Sequence, residues 1–208
     1  MATRLEKREI IFDTAQKLFL QNGLFNTTMD QIAEASGLSR RTLYRYFDKR
    51  EDLAYEVTTQ FILQWNQFFE SCYSQLHGTG IERLEQFLKG LMGYMSERVE
   101  VMRYLDEFDF YFRDTASIYP SEKQIRHFKD VILVSDNYLK LLLKLGVEDG
   151  SIDDEINIEM TEATISNVMW SFGQRVASRG KIIEEETGYD PIKLIEHQVV
   201  LYIKALSI

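Results

Sequence analysis

Long stretches of this chain carry apolar residues at spacings of three and four with almost nothing to interrupt them: 208 residues include two prolines and eleven glycines. Proline removes a backbone donor and breaks a helix interior, and glycine marks turns and helix ends. Their positions fit that use. Pro191 follows Asp190 at a helix start, and Gly23, Gly37, Gly78, Gly146 and Gly150 separate periodic segments. Runs that alternate apolar and polar residues between turn residues, the mark of a half-buried strand, do not occur. The expected class is all-α, with about nine helices.

Start signals place the first elements. Thr3-Arg-Leu-Glu6, Thr28-Met-Asp-Gln31 and Thr79-Gly-Ile-Glu82 read as capping boxes, in which hydroxyl and carboxylate or amide satisfy each other's orphan backbone amides. The first helix carries Ile11, Ala15, Leu18 and Phe19 on one stripe and stops at Asn22-Gly23. A short second helix faces inward through Met29, Ile32, Ala33 and Ala35. Ser36-Gly-Leu-Ser39 is a tight turn, and Ser39 caps a third helix over residues 40–47, with Leu43 and Phe47 inward. A long fourth helix runs from Asp48-Lys-Arg-Glu51 to residue 76, burying Ala54, Val57, Phe61, Trp65, Phe68, Cys72 and Leu76. The fifth, with Phe87, Leu88, Leu91, Met92 and Met95, begins at Thr79, and an aromatic-rich sixth covers 99–113. The seventh, over 121–145, is apolar nearly all round (Val131, Ile132, Leu133, Val134, Leu139, Leu141, Leu142, Leu143) and is expected to be central. An eighth covers 156–179 and a ninth runs from Pro191 to residue 206.

Composition excludes several functions. No stretch of 18 or more apolar residues occurs, so no membrane partner is expected. The charged N-terminus lacks the apolar core of a signal peptide, and the expected location is the cytoplasm. A single cysteine, Cys72, supplies neither an internal disulfide nor a cysteine metal cluster. None of His77, His127 and His197 has a carboxylate three residues before it, so the pairs of helical di-iron sites are missing, as are zinc-protease and phosphate-loop motifs. No enzyme activity, metal or cofactor is expected.

The net charge of −9 is unevenly spread: residues 1–50 carry nine Lys+Arg against six acids, and residues 51–208 carry 15 against 27. A basic first quarter on an acidic body suits approach of the N-terminal part alone to a polyanion. Two short helices joined by a glycine-containing turn, the second one basic, form a helix-turn-helix. Arg40, Arg41, Thr42, Tyr44 and Arg45 stand near the start of the second, where side chains enter a major groove. Arginine there pairs with guanine O6 and N7, and tyrosine or threonine meets thymine methyl or phosphate. Thr28, at a helix N-terminus, is placed to hold a phosphate.

The run from Gly23 to Leu53, with its Thr-Thr-x-x-x-Ile-Ala-x-x-x-Gly-x-Ser-x-x-x-Leu-Tyr-x-Tyr-Phe pattern, resembles the N-terminal domain of TetR-type (TetR/AcrR) transcriptional regulators. The resemblance covers about residues 5–55. It implies a three-helix DNA-binding domain over residues 1–50 and a helical ligand-binding and dimerisation domain over 51–208. It also implies DNA contacts at Thr28, Arg40, Arg41, Thr42, Tyr44, Arg45, Tyr46 and Arg50, with Thr28, Tyr46 and Arg50 on phosphates and the others on bases. Arg41 stands where many relatives have a small residue, and Arg50 where lysine is usual.

Members of that family dimerise through their last two helices and release DNA when a small molecule binds. Here the eighth helix has one stripe of Ile165, Val168, Met169, Phe172 and Val176 and a second, smaller one of Ala163, Ser166, Trp170, Gly173 and Ala177. The ninth shows Ile192, Ile195, Val199, Tyr202 and Leu206 beside Leu194, Leu201 and Ala205. Two stripes need two partners, and an isologous homodimer seam through Ala163, Trp170, Gly173, Ala177, Val199 and Tyr202 supplies the second. For an effector, the candidate lining is Trp65, Phe69, Tyr104, Glu107, Phe108, Tyr111 and Tyr138. Glu107 beside tyrosine rings suits a cationic aromatic ligand. The plain alternative pairs it with Arg103 four residues earlier, and an apolar or acyl ligand fits equally. The resulting expectation is a homodimeric repressor on an inverted-repeat operator of double-stranded DNA, released by a small-molecule effector. The alternatives are an architectural or activating regulator without inducer, and a ligand-binding or interaction protein that has lost DNA binding.

Overall fold

The structure, a computed structural model, describes residues 3–113 and 122–208, without the side chains of residues 123, 124 and 133–137. The described residues form α1 (Arg4–Asn22), α2 (Met29–Ala35), α3 (Arg40–Tyr44), α4 (Arg50–Ser74), α5 (Gly80–Ser96), α6 (Val99–Tyr111), α7 (Glu122–Glu148), α8 (Ile158–Thr187) and α9 (Pro191–Leu206). The all-α expectation holds: among the described residues β-type pairing is confined to an isolated antiparallel bridge between Ile152 and Ser207. Ser121, expected to open the seventh helix, and the side chains of Leu133 and Val134 lie outside the described residues.

Helix ends differ from expectation where backbone bonding tightens or runs on. α3 stops at Tyr44 rather than at residue 47, because Arg45 and Tyr46 donate three residues back, to Thr42 and Leu43. α4 stops at Ser74 for the same reason, with Gln75 and Leu76 donating to Cys72 and Tyr73. α8 runs past residue 179 to Thr187, yet Arg179 at φ −133°, ψ 16° leaves helical geometry at the position where the pattern ends.

The chain divides into two compact units, residues 1–63 with 104–131 and residues 64–103 with 132–208. The first holds α1, α2, α3, the first part of α4, the end of α6 and the start of α7. Its core joins Ile11, Ala15 and Phe19 to Ile32, Leu43, Leu53, Val57 and Tyr104, each almost entirely sealed from solvent. Ala35, expected inside, is exposed.

In the second unit, α5 packs on α8 and α9, which also pack on each other. Leu84, Phe87, Leu88, Met95, Leu142, Leu143, Ile165, Met169, Ile195 and Val199 fill its interior. α7 is less enclosed than its composition implies, since Leu141 is 47 % exposed. Part of the expected dimer seam lies inside the chain. Gly173, Ala177 and Val199 face the chain's own core, and a Cβ on Gly173 would lie 1.9 Å from Met95 Cε. Trp170 is half-buried with its ring 5.3 Å from that of Trp65, Tyr202 is half-buried, and Ala163 is exposed. The large apolar residues left exposed on α8 and α9 are Val168, Ile182, Val200 and Leu201, together with Met160 at the start of α8.

The start of α5 is fixed by contact and by capping. Gly80 N–H donates to Asp149 at 2.6 Å and Ile81 N–H to the Ser151 hydroxyl at 3.0 Å. A Cβ on Gly80 would fall 2.2 Å from the backbone of Gly146, which cannot swing aside as a side chain can. Gly93, in the same helix, has open space where its Cβ would be. Gly80→Ala should therefore lower unfolding free energy by about 1–3 kcal/mol through overpacking. Gly93→Ala should raise it by about 0.5–1 kcal/mol through helix propensity. Urea denaturation of the two variants checks the pair, and equal effects would refute the close-approach argument.

Candidate nucleic-acid interface

Local sequence builds a helix-turn-helix in the first unit. Thr28 caps α2: its hydroxyl accepts Gln31 N–H at 3.3 Å and its own N–H donates to the Gln31 amide oxygen at 2.8 Å. Gly37 takes the left-handed conformation at φ +66°, which lets Leu38 N–H reach the Ala33 carbonyl at 3.0 Å and Gly37 N–H reach that of Glu34 at 3.1 Å. The Ser39 hydroxyl then accepts Thr42 N–H at 3.2 Å and starts α3. Met29, Ile32, Ala33, Leu43 and Phe47 are all buried, so the opposite face of α3 is left to polar residues.

That face presents Arg40, Arg41, Tyr44 and Arg45, all exposed. Arg40 is held at 2.6 Å by Asp30 of α2. The Arg45 guanidinium lies 5.4 Å from the Tyr46 ring centroid. The Thr42 hydroxyl sits 2.9 Å from that of Ser39 and so takes part in the cap. Thr28 is exposed at the start of α2.

Two residues join the face that sequence reasoning did not single out. Arg4 and Lys7, one turn apart on α1, share with Arg45 and Tyr46 an open recess of about 400 Å³. Three cations converge there. The signal in the sequence is their spacing of three at the start of a helix, but nothing local says that this turn lies beside α3.

Arg50 departs from expectation. Rather than reaching outward, its guanidinium donates to the carbonyls of Leu24 (3.2 Å) and Thr27 (3.0 Å) and to the Tyr111 hydroxyl (2.8 Å). Only 19 % of its side chain is exposed, and Glu51 lies 3.5 Å away. A guanidinium so fully occupied holds the protein together and is not displayed to a phosphate.

The candidate effector residues fall into two groups. Trp65, Phe69 and Tyr138 belong to the second unit, where Trp65 and Phe69 are buried and their rings meet at 5.4 Å, with Tyr138 6.2 Å from Phe69. Tyr104, Glu107, Phe108 and Tyr111 belong to the first. Tyr104 is sealed: its hydroxyl donates to the Ala54 carbonyl at 2.9 Å and lies 3.1 Å from the Thr58 hydroxyl, and burial pushes its phenol far up. Phe108 packs between Tyr55 and Phe112. The Tyr111 hydroxyl donates to Glu51 at 2.7 Å; burial first, and that acceptor next, push it up, so it stays neutral. Glu107 does not pair with Arg103. It accepts Leu24 N–H at 2.6 Å, while Arg103 donates to the Ala177 carbonyl. The Glu107 carboxylate is thus held by a backbone amide of the connection between α1 and α2 and not by Arg103.

The chain is similar to known regulatory proteins in sequence and in fold. Residues 11–57 match the model of the family described as bacterial regulatory proteins, tetR family. Over 169 residues the chain is 25 % identical to the HTH-type transcriptional repressor KstR2 of Rhodococcus jostii, covering 79 % of this chain and 76 % of that one. The ketosteroid transcriptional regulator KstR2 of Mycobacterium tuberculosis has the same fold, with a TM-score of 0.66 at 15 % identity over 100 % of this chain and 97 % of that one. So does the transcriptional regulator FadR of Bacillus subtilis in complex with stearoyl-CoA, with a TM-score of 0.67 at 15 % identity over 95 % and 98 %.

The two kinds of contact on this face make different predictions. Replacing Arg4 and Lys7 together by alanine should flatten the log–log salt dependence of duplex binding by about 0.9 for each phosphate left without its cation, and leave sequence preference intact. Arg41→Ala should cost about 1–3 kcal/mol and relax preference at one base position. Salt titrations on matched and mismatched duplexes separate them, and an unchanged slope in the first variant would exclude the recess as a phosphate site.

Proposed function

Because the chain belongs to the tetR family of bacterial regulatory proteins, we propose that it is a homodimeric repressor that reads an inverted-repeat operator and leaves it when an apolar effector binds. It is a DNA-binding transcription regulator and not an enzyme. The observation that carries the operator reading is the exposed face of α3, where Arg40, Arg41, Tyr44 and Arg45 stand on a helix anchored by buried Leu43. Arginines so placed pair with guanine edges, and Tyr44 supplies contact to a thymine methyl. Thr28 and Tyr46 hold phosphates that fix register without specifying sequence.

Two such faces must sit roughly 34–36 Å apart to occupy successive major grooves, which needs a dimer. Val168 of α8 and Val200 and Leu201 of α9 are exposed apolar residues on the two helices that the family uses for dimerisation. They support a seam formed by this face of α8 and α9. An effector that lowers operator affinity must bind better to a state in which the two faces are misplaced.

The proposed class of effector is supported by the aromatic interior of the second unit. Around Trp65 stand Phe69, Tyr94 and Trp170 at 5.3–5.4 Å, and Phe69 meets Phe87 at 4.9 Å. An interior of this kind favours apolar ligands with few polar groups. The FadR neighbour's complex with stearoyl-CoA supports a long acyl group.

Selection of duplexes from a random library at fixed near-physiological salt should enrich an inverted repeat with half-sites about one helical turn apart. Enrichment of a single half-site, or of nothing, would refute the dimeric operator reading. On the selected duplex, long-chain acyl thioesters should release the protein and a quaternary ammonium compound should not; the reverse would restore a cationic ligand. Leu201→Glu should shift the protein from dimer to monomer in sedimentation, and an unchanged dimer would move the seam elsewhere.

A further inference from the structure

Residues Gly23 to Thr28 connect α1 to α2, and side chains from far along the sequence hold their backbone. Leu24 N–H donates to Glu107 Oε2 at 2.6 Å. The carbonyls of Leu24 and Thr27 accept from Arg50, whose other nitrogen donates to the Tyr111 hydroxyl. The Phe25 ring meets those of Phe110 and Tyr111 at 6.0 and 5.4 Å. Glu107, Phe110 and Tyr111 all lie in the last two turns of α6.

Gly23 is shaped to the same contact. Its φ of +83° lies in the left-handed region, and a Cβ there would come within 2.7 Å of both Glu107 carboxylate oxygens. The carboxylate reaches the Leu24 amide only because residue 23 has no side chain. Two independent features, the hydrogen bond and the glycine cradle, thus converge on one side chain that neither reads bases nor fills the core.

We infer that Glu107 is a positioning residue for operator binding: through Leu24 it ties the end of α6 to the connection that sets the start of the helix-turn-helix. This rests on the operator reading above. The connection ends at Thr28, the cap of α2, and Leu24 is sealed at 1 % exposure, which anchors the connection four residues before that cap. A carboxylate accepting a backbone N–H makes a charge-assisted bond, stronger than a neutral one. Such bonds weaken steeply with distance and angle, so a slide of α6 by an ångström is enough to release Leu24. The connection then has to be ordered again each time DNA binds, which weakens the complex without removing any DNA contact.

Operator affinity, amide hydrogen exchange at Leu24 and urea unfolding, measured on wild type, E107A and E107Q, test this. E107A should bind the selected duplex about tenfold more weakly with an unchanged salt slope, and its Leu24 amide should exchange faster. E107Q keeps an oxygen of the same reach and should recover most of both. A purely structural role would change unfolding while fully folded E107A bound as wild type does, and that result overturns the inference. Equal loss in E107Q and E107A overturns it too, because the hydrogen bond would not be the working contact. If E107A does not fold, E107D carries the test, since its carboxylate is still charged but one methylene too short; wild-type affinity there is the refuting result. A wild type that enriches no duplex removes the operator reading, and this inference with it, while the Leu24 exchange in the variants still reports the bond.

Discussion

A backbone polar group withdrawn from water needs a partner, and the turn between α1 and α2 has more such groups than its own residues can serve. Local side chains take the end of α1: the Thr27 hydroxyl lies against the carbonyls of Leu18 and Gly23, and the Asn26 amide donates to that of Asn22. What remains is met from elsewhere, by Arg50 on the carbonyls of Leu24 and Thr27 and by Glu107 on the Leu24 amide. One hydrogen-bonded system therefore spans the end of α1, the cap of α2, the first turn of α4 and the end of α6. The exposed face of α3, proposed above to read bases, takes its placement from that system, because α2 and α3 are joined by a turn that Gly37 closes tightly.

Where a signal is local, the sequence carries it. The reciprocal bonds at Thr3 with Glu6 and at Thr28 with Gln31 form as their spacing implies, and the Thr79 amide meets Glu82. The Asp190-Pro191 start of α9 and the Gly37 turn are equally visible, since each depends on residues within a few positions. The buried Ile11, Ala15 and Phe19 of α1 and Met29, Ile32 and Ala33 of α2 follow from periodicity, which fails at the end of α2, where Ala35 is exposed.

Elsewhere the deciding partner lies far along the chain. Both stripes of α8 look apolar in sequence, yet Ala177 is buried and Gly173 turns inward, where Met95 and Met102 fill the space against it. Arg103 sits four residues before Glu107, yet the Ala177 carbonyl and the Leu24 amide claim the two side chains separately. Arg50 reads as a surface cation until the carbonyls of Leu24 and Thr27 are brought to it. The convergence of Arg4 and Lys7 on Arg45 is hidden for the same reason: it is a property of how α1 lies beside α3.

The pairing of Arg40 with Asp30 has a consequence for discrimination. An exposed ion pair is worth about 0–1 kcal/mol, whereas a bidentate arginine–guanine pair discriminates by about 1–3 kcal/mol. Exchanging the first for the second leaves a gain, but exchanging it for a mismatched base edge leaves little or none. If Arg40 reads a base as proposed, it must leave Asp30 to do so on any duplex, and the carboxylate then lowers affinity by no more than the about 0–1 kcal/mol of the exposed pair. Where a base edge or phosphate offers less than that, Arg40 stays on α2, so Asp30 sets a threshold that a contact must exceed before this cation is released to DNA.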